Sequence, residues 1–168
     1  ELAHYWFHGQ HLFVDGKKMS KSKGNVFYPD DLVRMGYSGD HIRFFLISEH
    51  YRKRLNFTLE KMRRTSWKLD VFRNMVHGLE KAESEETHWK AKKLIGDLDT
   101  VFESSMNSDL DVKAALDALF SIVQKLDHLA RRKKLRSEDA CTAIDKLRTI
   151  DSVFQVIFES KERLSSIA

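Results

Sequence analysis

From Thr58 onward the chain contains no proline, and its apolar residues return every three or four positions, the spacing of one face of an α-helix. Leu69, Phe72, Val76 and Leu79 make the first stripe, and Leu94, Leu98, Val101 and Phe102 the second. Val112, Ala115, Leu119, Val123 and Leu126 make a third, inside a helix predicted from Asp111 to about Arg132. Ile144, Leu147, Ile150, Phe154 and Ile157 make a fourth, inside a helix predicted from Ser137 to about Ser160. Asp111 and Ser137 carry side-chain oxygens suited to capping the last two helices. Each helix has one apolar stripe to bury and the links are short, so the four are expected to pack as an antiparallel bundle.

The pattern before Thr58 is different. Tyr5 to Val14 is rich in aromatic and β-branched residues and reads as a strand, and Asp15-Gly16 is a dipeptide that closes a tight hairpin. After the polar stretch Lys17 to Asn25, Pro29 with Asp30 and Asp31 starts a short helix that should end near Gly36. Ser38 is placed to cap a second helix running through Ser48, with Ile42, Phe45 and Leu46 on one face. The fold class is therefore mainly α, with a short β-hairpin and two helices ahead of the antiparallel bundle.

Composition narrows this picture only a little. Apolar residues are 42% and charged residues 32% of the 168, a globular balance. No apolar run approaches the ~20 residues of a membrane helix, so no membrane partner is expected. The single cysteine, Cys141, excludes an internal disulfide and a multi-cysteine zinc site. It fits a reducing cytoplasm, and its helical setting suggests a small buried side chain. The start Glu1-Leu2-Ala3-His4 reads as cut from a longer polypeptide. The net charge of +4 is unevenly spread: residues 1–81 hold 15 Lys and Arg against 9 Asp and Glu, residues 82–168 hold 14 against 16. The cationic half is also the half with the candidate chemistry.

That chemistry lies in Lys18-Met19-Ser20-Lys21-Ser22-Lys23-Gly24-Asn25. Three ammonium groups, two hydroxyls and a conformationally free glycine in eight residues suit a loop that wraps a polyphosphate. When a carboxylate attacks the α-phosphorus of ATP, charge builds on the departing pyrophosphate, and cations placed there lower the barrier. A solvated lysine-rich turn has the same composition, so composition does not decide between the two.

The string itself adds more. Lys18 to Ser22 spells KMSKS, and the chain here resembles class I aminoacyl-tRNA synthetases, whose second signature this is. The flanks are similar to the cysteinyl-tRNA synthetase family in particular: Tyr5-Trp6 with His8 and His11, Val14-Asp15-Gly16, Gly24-Asn25, Arg43-Phe44-Phe45-Leu46, His50-Tyr51-Arg52 and Leu55-Asn56-Phe57. Past residue 58 the likeness is carried by Met106 to Leu119, with Asp109-Leu110 and Ala114-Ala115-Leu116. The chain departs from the family at Gly9-Gln10 and at Asp111-Val112-Lys113.

The resemblance implies that residues 1–57 close a catalytic domain with its lysine loop and stem-contact helices, and that residues 58–168 form a helical bundle binding tRNA toward its anticodon. It implies a parent cysteine–tRNA ligase that uses ATP with Mg2+, cysteine and the cysteine tRNA (tRNA-Cys), in the cytoplasm. Lys18 and Lys21 would be catalytic, with Met19, Ser20 and Ser22 completing the ATP site. The nucleotide-binding His-x-Gly-His loop and the zinc site lie upstream in the family; no metal ligand is expected in this chain. The fragment alone should be inactive. Two other readings share these residues: a non-catalytic tRNA-binding or interaction module, and a ligase joining cysteine to an amino sugar.

The remaining candidates are weaker. Arg131-Arg132-Lys133-Lys134, followed by Leu135-Arg136, places five cations in six residues at a helix end, where they favour the helix dipole or contact tRNA phosphates. Arg63, Arg64, Lys68 and Arg73 form a second such group, and His50 and Arg52 are further nucleic-acid candidates. His8 and His11 have the spacing of neither the first signature nor a metal pair, and packing is their default.

Overall fold

The chain was studied as a computed structural model that describes residue 4 and residues 6–159. The hairpin forms at Asp15-Gly16: β1 (Phe13–Val14) pairs antiparallel with β2 (Lys17–Lys18). Asp15 and Gly16 have φ of 48° and 75°, the left-handed pair that lets a two-residue turn follow the twist of its strands. The strand is much shorter than the predicted Tyr5–Val14. Tyr5 lies outside the described residues, and Trp6 to Leu12 belong to no strand. The other edge of β1 is taken instead by β3 (Asn56–Phe57), which pairs in parallel. Two residues carry no periodicity, so β3 left no trace in the pattern.

Helices α1 (Pro29–Arg34) and α2 (Gly39–Ile47) start where the cap signals put them. The Ser38 hydroxyl accepts from His41 N at 3.2 Å. Val14, Leu32, Phe45, Phe57 and Met62 form a small core, on which Met19 packs. The neighbouring Phe44 points instead into the large core of the bundle, so two consecutive aromatic residues of α2 bind two cores together.

The bundle consists of α3 (Leu59–Glu80), α4 (Trp89–Asn107), α5 (Val112–Arg131) and α6 (Ser137–Phe154). Asp111 caps α5, its carboxylate accepting from Ala114 N at 2.9 Å. Ser137 does not cap α6. Arg136 holds that position, and the Ser137 hydroxyl donates to Ala82 O at 2.7 Å, tying α6 to the α3–α4 link. Helix α6 also stops at Phe154 rather than near Ser160. Gln155 turns left-handed (φ 56°), and the buried Asp151 carboxylate accepts the amides of Val156, Ile157 and Phe158 at 2.8, 2.8 and 3.1 Å. Ile157 is thus buried, as its place in the stripe predicted, but from a segment outside the helix. Cys141 is exposed, not buried, because Ala140, Ala143 and Ile144 occupy the inward face at that level.

Helices consecutive in sequence alternate in direction, as expected, yet not all of them are neighbours. Both α3 and α4 pack on α5 and α6, which leaves the α3/α4 and α5/α6 pairs on the diagonals. Along α3 and α5 the partners advance together, Lys68 with Asp117 and Gly78 with Asp127. The two therefore run parallel, side by side. Polar ties fix the smaller unit onto this frame. Arg73 on α3 bonds Asp40 of α2 at 2.7 Å and the carbonyls of Val156 and Ile157 at 2.8–3.2 Å. Arg43 Nε donates to Phe154 O at 2.6 Å.

The α3–α5 contact generates a test of packing. A β-carbon at Gly78 would lie 2.5 Å from Oδ1 of Asp127, a buried residue whose other oxygen accepts from Arg131 Nε at 2.7 Å. Gly→Ala inside a helix ordinarily stabilises by about 1 kcal/mol, but overpacking costs ~1–3 kcal/mol. We expect Gly78→Ala to lower the urea midpoint. Gly96→Ala on α4, where nothing lies within 4 Å, should raise it.

Candidate functional site

The lysine loop is built on the hairpin. Met19 N donates to Leu12 O at 3.1 Å, which with the buried face of the Met19 side chain anchors the start of the loop. Lys21–Lys23 make one 3-10 turn, closed by Gly24 N donating to Lys21 O at 3.1 Å, with Gly24 left-handed at φ 64°. The Asn25 side chain joins the two ends: its Oδ1 accepts from Ser20 N at 2.9 Å and its Nδ2 donates to Lys18 O at 3.3 Å. The Ser20 and Ser22 hydroxyls lie 2.8 Å apart, so both can turn toward one acceptor. Lys18, Lys21 and Lys23 are exposed, and none makes an ion pair among the described residues. Ammonium groups without an ion-pair partner among the described residues, on a backbone held by an amide clamp, have the chemistry to meet a polyanion.

The other basic candidates fall into two groups. Arg63 and Arg64 project into solvent from α3 beside the exposed Trp67. Lys68 and Arg73 do not join them. Lys68 donates to Asp117 at 2.6 Å, and Arg73 holds the fold together as described above. In the cluster after α5, Arg131 is bound to Asp127 and Arg136 Nε donates to Glu85 O at 2.9 Å. Lys133 and Lys134 use their backbone: their carbonyls accept from the Ser84 hydroxyl and from His88 N, both at 2.8 Å. Their side chains, with that of Arg132, remain exposed, while Leu135 between the cations is fully buried.

His50 and Arg52 are engaged within the fold. Arg52 donates to both oxygens of Asp109 at 2.6 and 2.9 Å, and the Tyr51 hydroxyl donates to Oδ1 at 2.5 Å. His50 Nε2 meets the Asp109 carbonyl at 3.2 Å. Phe7 stacks on Tyr51 at 4.2 Å, and Gln10 N donates to Tyr51 O at 3.0 Å. Asp109 and Leu110 both have positive φ, 55° and 53°, unusual for two successive residues other than glycine. This node joins the segment before the hairpin to the α4–α5 link. A sequence signal for it existed in the carboxylate next to the end of a helix, but its partners lie 57 to 59 positions away. The hydrogen bonds from Arg52 and Tyr51 hold the Asp109 carboxyl well below the usual range, and donating its proton to that carboxylate raises the Tyr51 hydroxyl. His8 stacks on Trp6, both exposed. Among the described residues no three His, Cys, Asp or Glu side chains gather as a metal site, and no helix is long and apolar enough to cross a membrane.

Comparison with known proteins places this geometry in context. Residues 1–67 match the family model described as tRNA synthetases class I (C) catalytic domain. The chain is 34% identical over 166 residues to a cysteine–tRNA ligase of Chlamydia muridarum, covering 93% of this chain and 35% of that protein. It is 35% identical over 162 residues to that of Chlamydia felis, covering 93% and 33%. It is 32% identical over 160 residues to that of Brachyspira hyodysenteriae, covering 93% and 34%. The chain spans about a third of the length of these relatives.

The Asp109 node predicts a pH dependence. A carboxyl whose folded pKa is depressed stabilises the fold above its unfolded value, ~3.9, and loses that contribution as pH falls toward the folded value. Asp109→Asn should therefore be less stable than the parent at neutral pH, and the gap should close steadily below about pH 5. Chemical denaturation followed across that range reads it directly.

Proposed function

Because the chain belongs to the cysteinyl-tRNA synthetase family, we propose that it supplies the triphosphate-binding loop and a tRNA-facing bundle to a cysteine–tRNA ligase. In that reaction a carboxylate oxygen of cysteine attacks the α-phosphorus of ATP. The bond to the bridging oxygen breaks, and pyrophosphate leaves with the charge that Mg2+ and the protein must meet. Lys21 and Lys18 meet it here, and the Ser20 and Ser22 hydroxyls donate to phosphate oxygens. The aminoacyl group then passes to the cysteine tRNA. The exposed side chains of Arg63, Arg64, Arg132, Lys133 and Lys134, with the outer face of Arg131, would meet tRNA phosphates. A cytoplasmic setting follows from the same reading.

One observation carries the proposal: three lysines without ion-pair partners among the described residues, on a loop whose two ends are joined by the Asn25 amide. A lysine-rich turn that merely solvates the surface needs no such clamp. The clamp fixes the backbone, so the ammonium groups reach a charge that appears only during reaction without first reorganising the chain. Replacing Lys21 by Ala in the full-length enzyme should slow cysteine-dependent pyrophosphate exchange by roughly 100- to 1,000-fold, the size seen when one preorganised donor is lost, with the denaturation midpoint unchanged. An exchange rate equal to the parent's would remove Lys21 from the chemistry.

A further inference from the structure

We propose that the groove between the start of α4 and the end of α5 holds an unpaired nucleotide of RNA, its base stacked on Trp89. The inference rests on the reading that the bundle faces tRNA, and adds a base-binding pocket to a surface so far described only by its charge. The groove encloses about 730 Å³ and is lined by Trp89, Lys90, Lys93, Leu94, Lys125 and His128, among others, with Asp97 its one carboxylate.

Three features point to this occupant. The first is the indole. Trp89 is 75% exposed, more than any other large apolar side chain among the described residues, although His88 stacks beside it and the Lys90 ammonium sits 5.1 Å from its ring centre. It is not filling a core. Its open surface faces a pocket whose floor, Leu94 and Leu129, packs on the bundle core.

The second is charge. Lys68, Lys113, Lys146, Arg73 and Arg131 on this bundle are all tied to carboxylates. Lys90, Lys93 and Lys125 around the groove make no ion pair among the described residues. With three lysines against the one carboxylate of Asp97, the pocket presents a net positive rim to whatever enters it.

The third is continuity. His88 N donates to Lys134 O at 2.8 Å, which joins the backbone one residue before Trp89 to the segment that carries the exposed Lys133 and Lys134. A strand whose phosphates run along those lysines brings a base to the pocket.

An apolar floor and an open aromatic face inside a cationic rim match single-stranded nucleic acid, where bases stack and phosphates pair. A duplex keeps its bases stacked on each other and would leave the indole bare. An acidic peptide would satisfy the lysines but not the ring.

The test uses the chain with Trp6→Phe and Trp67→Phe, so that Trp89 alone emits. Hexauridylate and unfractionated tRNA should each quench that emission saturably, and less so as salt rises. On the native background Trp89→Ala should weaken tRNA binding by about 5- to 150-fold, the range for loss of one stacked base. Trp89 is exposed, so the fold should survive, and an unchanged denaturation midpoint checks this. Lys93→Gln should instead weaken binding modestly and lower the salt slope by about one. Undiminished tRNA affinity in Trp89→Ala, or equal quenching by hexaglutamate, would overturn the proposal. Pyrophosphate exchange in Lys21→Ala is read without RNA, so failure of the groove leaves the assignment of the lysine loop standing, and the reverse holds as well.

Discussion

The guanidinium of Arg73 holds three parts of the chain in register. It meets Asp40 at the start of α2 and two carbonyls of the segment that follows α6, all from the middle of α3. Both charged side chains are largely withdrawn from solvent, at 15% and 13% exposure, where an ion pair is strong only if its remaining hydrogen-bonding capacity is also used. The carbonyls of Val156 and Ile157 use it. Those carbonyls are in place because Asp151 has already turned the chain back after Phe154. One buried carboxylate shapes the segment, and one arginine then reads that shape and fixes the small hairpin unit to the bundle.

The consequence for the lysine loop is that it stands on a packed and hydrogen-bonded base while its cations are not engaged. Behind it, Met19 sits on a core made by residues from both sides of the polar ties, Val14 and Leu32 before them and Phe57 and Met62 after. Across the chain, basic residues divide by what they touch. Arg43, Arg52, Lys68, Arg73 and Arg131 close the fold, whereas Lys18, Lys21, Lys23, Lys90, Lys93 and Lys125 are left to solvent. Net charge cannot reveal that division. The first half of the sequence is the more basic, yet several of its cations are internal fasteners.

Much of this was legible in the sequence, and the failures have physical causes. Helix positions followed from apolar spacing, and Asp111, Ser38 and Asp15-Gly16 acted as their local chemistry said. What was misread was non-local. Ile157 keeps the helical beat of α6 but reaches the core by another route, because burial at the right interval does not require a helix. Ser137 looks like a cap and bonds instead to Ala82, a partner 55 positions away. Strand β3 exists only because β1 offers it an edge. The KMSKS string located the lysine loop, but nothing in it announced the Asn25 clamp. Trp89 beside Lys90, Lys92 and Lys93 was a visible signal that periodicity ignored, since it falls on no apolar stripe.

The diagonal placement of α3 and α4 also bears on the order in which the chain can acquire structure. Of the bundle's consecutive helices only α4 and α5 pack extensively on each other, across a link of a few residues, so they are the pair suited to form a local hairpin. Beyond its contact with α2, the apolar stripe of α3 has no surface to bury against until α5 has been made. During synthesis about fifty residues, from the end of α3 at Glu80 to the end of α5 at Arg131, must therefore emerge before its inner face is covered. The helix that carries Arg73 waits on sequence that lies well downstream of it.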